Sequence, residues 1–269
     1  SAAAAEDAAA LVEVDYRELP VIVDPEAALA AGAPQLDAAV PGNLVYEAEA
    51  GNEAAVAEAI KNAAHVTRLR VDATRVTPSP MEPRACVVGF DAASGVYRFN
   101  VCMQGVTTLR KMVSSWTKVP EDKLVFEARD VGGGFGQRTP AYPEYLALMI
   151  AAKALGRPVK WVSSRVESFL TDNHGRGNIA EGELAMDKDG RFTAFRLTWI
   201  ADMGAYLSPG CAGHIRNVTT CLTGVYHIPR ALRLVQDTAD QHHAGGFVSR
   251  RGPARHRLRG RTLRRSGLR

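Results

Sequence analysis

The sequence contains no Cys-x-x-Cys pair. Its four cysteines, Cys86, Cys102, Cys211 and Cys221, lie 16, 109 and 10 positions apart, and His65, His214 and His227 show no ligand spacing. Neither a zinc site nor an iron–sulfur cluster is therefore expected within this chain, and the thiols suit a reduced, cytoplasmic setting. No apolar run approaches the roughly 18 residues of a membrane-spanning helix. The first residue is Ser1 rather than Met, and AAAAEDAAALVEV resembles neither a signal sequence nor a disordered linker, so the chain is expected to begin inside a longer protein. Acidic residues are missing from one stretch: the last 23 residues, FVSRRGPARHRLRGRTLRRSGLR, hold nine arginines and no Asp or Glu.

That stretch accounts for the sign of the net charge. The whole chain carries 33 basic and 29 acidic residues; without those nine arginines, 24 basic residues face 29 acidic ones, so the body is mildly acidic. At 269 residues and 46% hydrophobic, the body is long and apolar enough to bury a substantial core.

Periodicity then divides the chain. SAAAAEDAAALVEVDYREL reads as an alanine-rich helix running into an alternating strand, and residues 25–51, with AGAP and PGN, read as a connecting segment. NEAAVAEAIKNAAH is a helix capped by Asn52, with Ala55, Val56, Ala59, Ile60 and Ala63 on one face. HVTRLRVD, ACVVGFD, YRFNVCMQ, KLVFEARD, PVKWVSS, GELAMDKDGRFTAFRLTWIADMG and ALRLV supply strands, with turns at DAASG and KDG. VTTLRKMVSSW is a short helix, and YPEYLALMIAAKALG a strongly apolar one stopped by Gly156. Irregular interleaving of strands and helices predicts an α+β fold of mixed sheets with packed helices.

The stretch with most chemical content is DVGGGFGQRTPAYPEY. Four glycines around Phe135, between a strand and a helix, allow main-chain N–H groups to approach a ligand, and a helix start would add partial positive charge suited to an anion. Taken alone, such a loop is as readily structural, since it has neither the G-x-G-x-x-G spacing nor a P-loop lysine. Around it stand PSPMEPR with Met81, Glu82 and Arg84, the Gln104-Gly105 pair, RPVKWVSSRVESF, an H-x-R-x-N element at His174, Arg176 and Asn178, and DMGAY. In this order, over about residues 1–236, the sequence resembles the large, molybdenum-binding subunit of the xanthine dehydrogenase and aldehyde oxidase family, and more closely its aerobic carbon monoxide dehydrogenase-like branch.

The resemblance implies a partial molybdopterin-binding domain at 31–236, preceded at 1–30 by the end of an α/β hammerhead-like domain and the start of a linker. It implies that Gln104 approaches the molybdenum oxo group as an amide donor, and that Gly133, Gly134, Phe135 and Gly136 lie along the metal centre. Beside those roles stand plainer ones: a glutamine ending a strand, a core aromatic at Phe135, a Glu82–Arg84 pair that holds a turn, and a solvated loop pair at His174 and Arg176. The cofactor implied is molybdenum–molybdopterin in the cytosine dinucleotide form, with FAD and [2Fe-2S] clusters on a medium and a small partner subunit. The reaction implied is oxidation of a small molecule (aldehyde, heterocycle or CO-like) with water-derived oxygen. No catalytic residue is carried over, because the family's general-base glutamate lies beyond this stretch, so the chain alone is expected to be inactive. One departure disfavours a purine substrate: where related loops continue GGGFGGKE, this one continues GGGFGQRT and places Thr139 in the glutamate's position.

Two other readings stay open: a cofactor-binding remnant without catalysis, and a nucleic-acid-binding protein acting through the arginine-rich end, although Phe247 is its only aromatic and no recognition module precedes it. The genetic code suggests a different origin for that end. Read one base later, the degenerate codons of Gln241 to Arg250 permit Asn-Thr-Thr-Pro-Val-Gly-Ser-Tyr-Arg-Gly, the kind of Tyr-Arg-Gly loop that relatives carry here. Residues 237–269 are therefore expected to be translated out of frame from a GC-rich gene and to lack a defined fold. Sequencing the DNA across codons 230–269 and beyond tests this: the shifted frame should read through that motif and stay open, and an early stop there would refute the expectation.

Overall fold

Alanine's helix propensity and the Ser1 side chain, which accepts from the Ala4 amide at 3.2 Å, form α1 (Ala2–Ala10) in this computed structural model. The structure describes residues 1–208, 218 and 220–241. The strand expected over VEVDYREL does not form. Val12, Val14, Tyr16 and Leu19 are exposed and join no sheet, because alternation yields a strand only where a partner edge supplies hydrogen bonds.

Residues 25–51, expected to be a connecting segment, instead supply structure. Asp24 caps α2 (Pro25–Leu29), a 3-10 turn covers Pro41–Asn43, and LVYEAEA forms β1 (Leu44–Ala50). Glutamate and alanine give this strand little propensity of its own, so its pairing at a sheet edge decides its conformation. The expected elements follow: α3 (Glu53–Lys61), capped by Asn52, then β2 (His65–Val76), β3 (Ala85–Asp91), β4 (Val96–Val101), α4 (Val106–Thr117) and β5 (Leu124–Glu127). Next come α5 (Pro143–Leu155), ended by Gly156 at φ 63°, and β6 (Val159–Val162). An unexpected helix, α6 (Arg165–Thr171), is opened by a capping box between Ser164 and Glu167. The long strands β7 (Gly175–Met186) and β8 (Phe192–Asp202) turn at Asp187–Gly190, and β9 (Ala231–Thr238) closes the described chain.

Two mixed sheets result, as an α+β fold requires. The order β1-β9-β8-β7-β2 is antiparallel except for the parallel β8/β9 pair; the order β5-β4-β3-β6 is antiparallel except for β4/β5. Apolar side chains of α4 and α5, including Leu109, Val113, Tyr145 and Ala152, pack on Val88 and Phe99 of the smaller sheet. The larger sheet buries Trp199, Leu197 and Val235, and Val56 of α3 packs with Ala185 and Ala194. The expected start of an unfolded end at residue 237 falls inside β9. Pairing with β1 and β8 carries this strand to Thr238, and Gln241 exchanges two hydrogen bonds with Ile22, at 2.8 and 2.9 Å. His242–Arg269, with Phe247 and most of the shifted-frame reading, lie outside the described residues.

Replacing Leu109, which has no exposed surface, by alanine should lower unfolding free energy by about 2–5 kcal/mol in a urea titration. Leu155→Ala, at a half-exposed site, should cost less than about 0.5 kcal/mol.

Candidate functional site

Between β5 and α5 the chain makes no helix until Pro143. The prolines of QRTPAYP delay the start, and Pro143 then takes the first helical position. The glycine loop therefore does not open the helix, contrary to the expectation of a helix dipole acting on it. It is shaped instead by two turns, with Gln137 N–H donating to Gly134 O at 2.9 Å and Thr139 N–H to Gly136 O at 3.2 Å. Positive φ at Gly133 (108°), Phe135 (52°) and Gly136 (97°) folds its backbone tightly.

The turn of PSPMEPR is laced to this loop. Gly132 N–H donates to Glu82 Oε2 at 2.7 Å, Glu82 N–H donates to Gly132 O at 3.2 Å, and an added Cβ at Gly132 would lie 2.5 Å from Glu82 Cβ. Arg165 donates to Pro80 O at 2.8 Å and Met81 O at 2.7 Å, and Arg138 Nη2 donates to Glu82 O. Glu82 thus serves the loop and not Arg84, which corrects the expected Glu82–Arg84 pair.

Gln104 is held from three sides. Its N–H donates to Arg138 O at 2.9 Å, and its Oε1 accepts from Gly136 N–H at 2.9 Å. A Cβ at Gly134 would lie 2.4 Å from Gln104 Cδ, so only glycine lets the amide lie on the loop. With its oxygen engaged, Gln104 has its Nε2 hydrogens left to offer. Among the described residues, the N–H groups of Gly133, Gly134 and Phe135 have no protein acceptor. The structure thus brings Gln104 onto the loop formed by Gly133, Gly134, Phe135 and Gly136. Phe135 is 58% exposed, so it is not the core aromatic that the plainer reading allowed.

Beneath the loop lies Arg84, with no exposed side-chain surface. Its Nε pairs with Asp172, its Nη2 donates to Glu144 Oε1 and Thr171 Oγ1, both at 2.8 Å, and its guanidinium carbon stands 3.8 Å from the Tyr142 ring centre. Burial disfavours its charge, but the bond to Glu144 and the charges of Glu144 and Asp172 outweigh that and raise its pKa. Burial pushes the Tyr142 hydroxyl far up; it stays protonated, donates to Gln137 O at 3.0 Å and accepts from Asn173 N–H at 3.3 Å.

His174 and Arg176 stand at the start of β7, where Arg176 adopts φ 78° and is half-buried, and Asn178 Nδ2 donates to Arg176 O at 3.1 Å. Burial lowers the Arg176 pKa. His65 and His227 are exposed, and His214 and Cys211 lie outside the described residues. Cys86 is buried in the smaller sheet's core, which pushes its thiol up to about 12. Sequence reasoning missed Arg138, Arg165, Glu144 and Asp172; of these only Arg165, just after the Ser164 cap of a Ser-x-x-Glu box, carried a local signal. Among the described residues no helix is long and apolar enough to cross a membrane.

Comparison with known proteins shows the family. Residues 36–246 match the model of the molybdopterin cofactor-binding domain. Over 91% of its length the chain is 34% identical to the carbon monoxide dehydrogenase large chain of Hydrogenophaga pseudoflava, covering 32% of that protein. It is 32% identical over 86% of its length to the nicotine 6-hydroxylase large subunit of Paenarthrobacter nicotinovorans, covering 28% of it. Among solved structures, quinoline 2-oxidoreductase from Pseudomonas putida 86 superposes with a TM-score of 0.83 at 33% identity, over 92% of this chain and 32% of that one. The chain spans about a third of the length of the curated relatives it matches.

Gly134→Ala should force Gln104 off the loop and cost about 1–3 kcal/mol in denaturant unfolding. Adding Gln104→Ala should recover most of that loss, because the steric conflict is between these two residues; purely additive losses would show that they do not meet.

Proposed function

The chain belongs to the molybdopterin cofactor-binding domain family, and from that premise we propose that Gln104 and the loop Gly133, Gly134, Phe135 and Gly136 face the pterin–molybdenum group of a molybdenum hydroxylase large subunit. The observation that carries the reading is the donor set. Among the described residues the N–H groups of Gly133, Gly134 and Phe135 and the Gln104 Nε2 have no protein acceptor, and Gly136 N–H occupies Gln104 Oε1, an acceptor that would repel an oxo or phosphate oxygen. The residues present therefore fit a group rich in acceptor oxygens.

When bound, that group supplies the redox chemistry by which water-derived oxygen is placed on a small molecule. This chain's residues bind and orient. The loop amides grip acceptor oxygens, Gln104 adds a directed N–H, and the Glu82–Gly132 and Arg138–Glu82 bonds hold the loop against movement. No residue of this chain is assigned as acid or base. The substrate class is an aldehyde, heterocycle or CO-like molecule, the pterin is the cytosine dinucleotide, and electrons leave to FAD-binding and iron–sulfur partner subunits in the cytoplasm. The similarity to a carbon monoxide dehydrogenase large chain and a nicotine hydroxylase large subunit supports this assignment.

Pterin binding tests the reading directly. Molybdopterin released from a denatured molybdoenzyme should travel with the purified chain through gel filtration, read by the fluorescence of its oxidised form. Gln104→Ala should reduce the amount carried roughly tenfold, as expected for loss of a hydrogen bond to a charged group. No pterin with the native chain, or equal amounts with both, would overturn it.

A further inference from the structure

The layer directly under the loop holds a second guanidinium. Arg138 is 1% exposed, its Nη2 donates to Glu82 O, and its Nε and Nη1 meet no acceptor; among the described residues no carboxylate pairs with it. A buried cation without a carboxylate is costly and calls for a reason.

The reason lies in the charges around it. Arg84 is bonded to two carboxylates, the buried Asp172 and the partly exposed Glu144, so that group by itself carries one negative charge in excess. Glu82, half-buried against the Gly132 amide, is matched by Arg165, which clamps the same turn through Pro80 O and Met81 O. Glu167 sits at the solvated start of α6, where it is screened. Arg138 therefore cancels the surplus carboxylate charge. The hydrogen-bonding balance points the same way: Arg138 Nε and Nη1, Arg84 Nη1 and Gln137 Nε2 lack acceptors, whereas only Gln137 Oε1 and Glu144 Oε2 lack donors nearby.

We propose that Arg138 is a positioning residue for anion binding: its buried charge neutralises the excess carboxylate of the Arg84 group, so that the loop amides receive an anionic ligand without a negative charge behind them. It also ties Gln104 to the loop through its own carbonyl, at 2.9 Å. The inference rests on the loop being the ligand-facing surface proposed above, but it concerns charge, not the identity of the cofactor.

The test uses the 269-residue chain and sodium molybdate, a tetrahedral oxyanion, titrated by calorimetry at constant ionic strength. Arg138→Lys keeps the charge and should bind within about threefold of the native chain, while Arg138→Gln keeps a donor for Glu82 O but not the charge and should bind roughly tenfold more weakly. Glu144→Gln removes a carboxylate from the same group and should act in the opposite direction, strengthening binding roughly tenfold. This reversal of sign distinguishes charge from structural support, and it stands even if Arg138→Gln fails to fold. Equal affinities for native, Arg138→Gln and Glu144→Gln chains, or no molybdate binding by the native chain, would overturn the proposal. Failure to carry pterin together with charge-dependent molybdate binding would sink the cofactor assignment and leave this inference standing.

Discussion

A guanidinium with no exposed surface joins the parts of this molecule that meet at its glycine loop. Arg84, at the entry to β3, reaches Glu144 on α5, Thr171 and Asp172 at the end of α6, and the rings of Tyr142 and of Trp161 on β6. Burying an ion group of this kind adds little net stability, but removing one partner costs about 3–5 kcal/mol, so its value lies in admitting a single arrangement. Tyr142 passes that arrangement on. Pinned under the guanidinium, its hydroxyl bridges Gln137 O and Asn173 N–H and so fixes the base of the loop against the start of β7.

Above this base the loop is set by exclusion as much as by bonding. At Gly132 and Gly134 a methyl group would collide with Glu82 and Gln104, and at Gly133 and Gly136 the backbone lies where L side chains are strained. Missing side chains let two neighbouring segments close onto the main chain, and each contributes what the loop lacks. Glu82 absorbs the Gly132 amide, while Gln104 absorbs the Gly136 amide and keeps its own N–H donors without a protein acceptor among the described residues. The amides of Gly133, Gly134 and Phe135 and the Gln104 amide nitrogen are left as donors at this loop among the described residues. Cys86 belongs to another role: it is buried among apolar neighbours and keeps its proton.

Much of the fold was legible because the relevant signals are local. Apolar alternation marked β2, β3 and β4, Asn52 and Gly156 marked helix ends by capping geometry, and GGGFG marked a backbone that needs freedom from Cβ atoms. Where conformation depends on a distant partner, the signal failed in both directions. LVYEAEA, with weak propensity, becomes a strand because β9 lies beside it, and VEVDYREL, with strong alternation, does not, because no edge meets it. The strand β9 likewise runs past residue 236 because β1 and β8 continue to pair with it.

At the site itself the division is the same. The order of PMEPR, Gln104-Gly105, GGGFG and PVKW was enough, by sequence alone, to point to the family and to single out Gln104 and the glycine loop as the residues proposed to face its ligand. Only the tertiary structure decided which way those residues turn: that Glu82 serves Gly132, that Gln104 offers a donor, and that Arg138 stands buried without a carboxylate of its own. Residue type and spacing specify what a side chain can do, but the acceptors and charges that choose among those possibilities come from segments up to 88 positions away, and only folding brings them into contact.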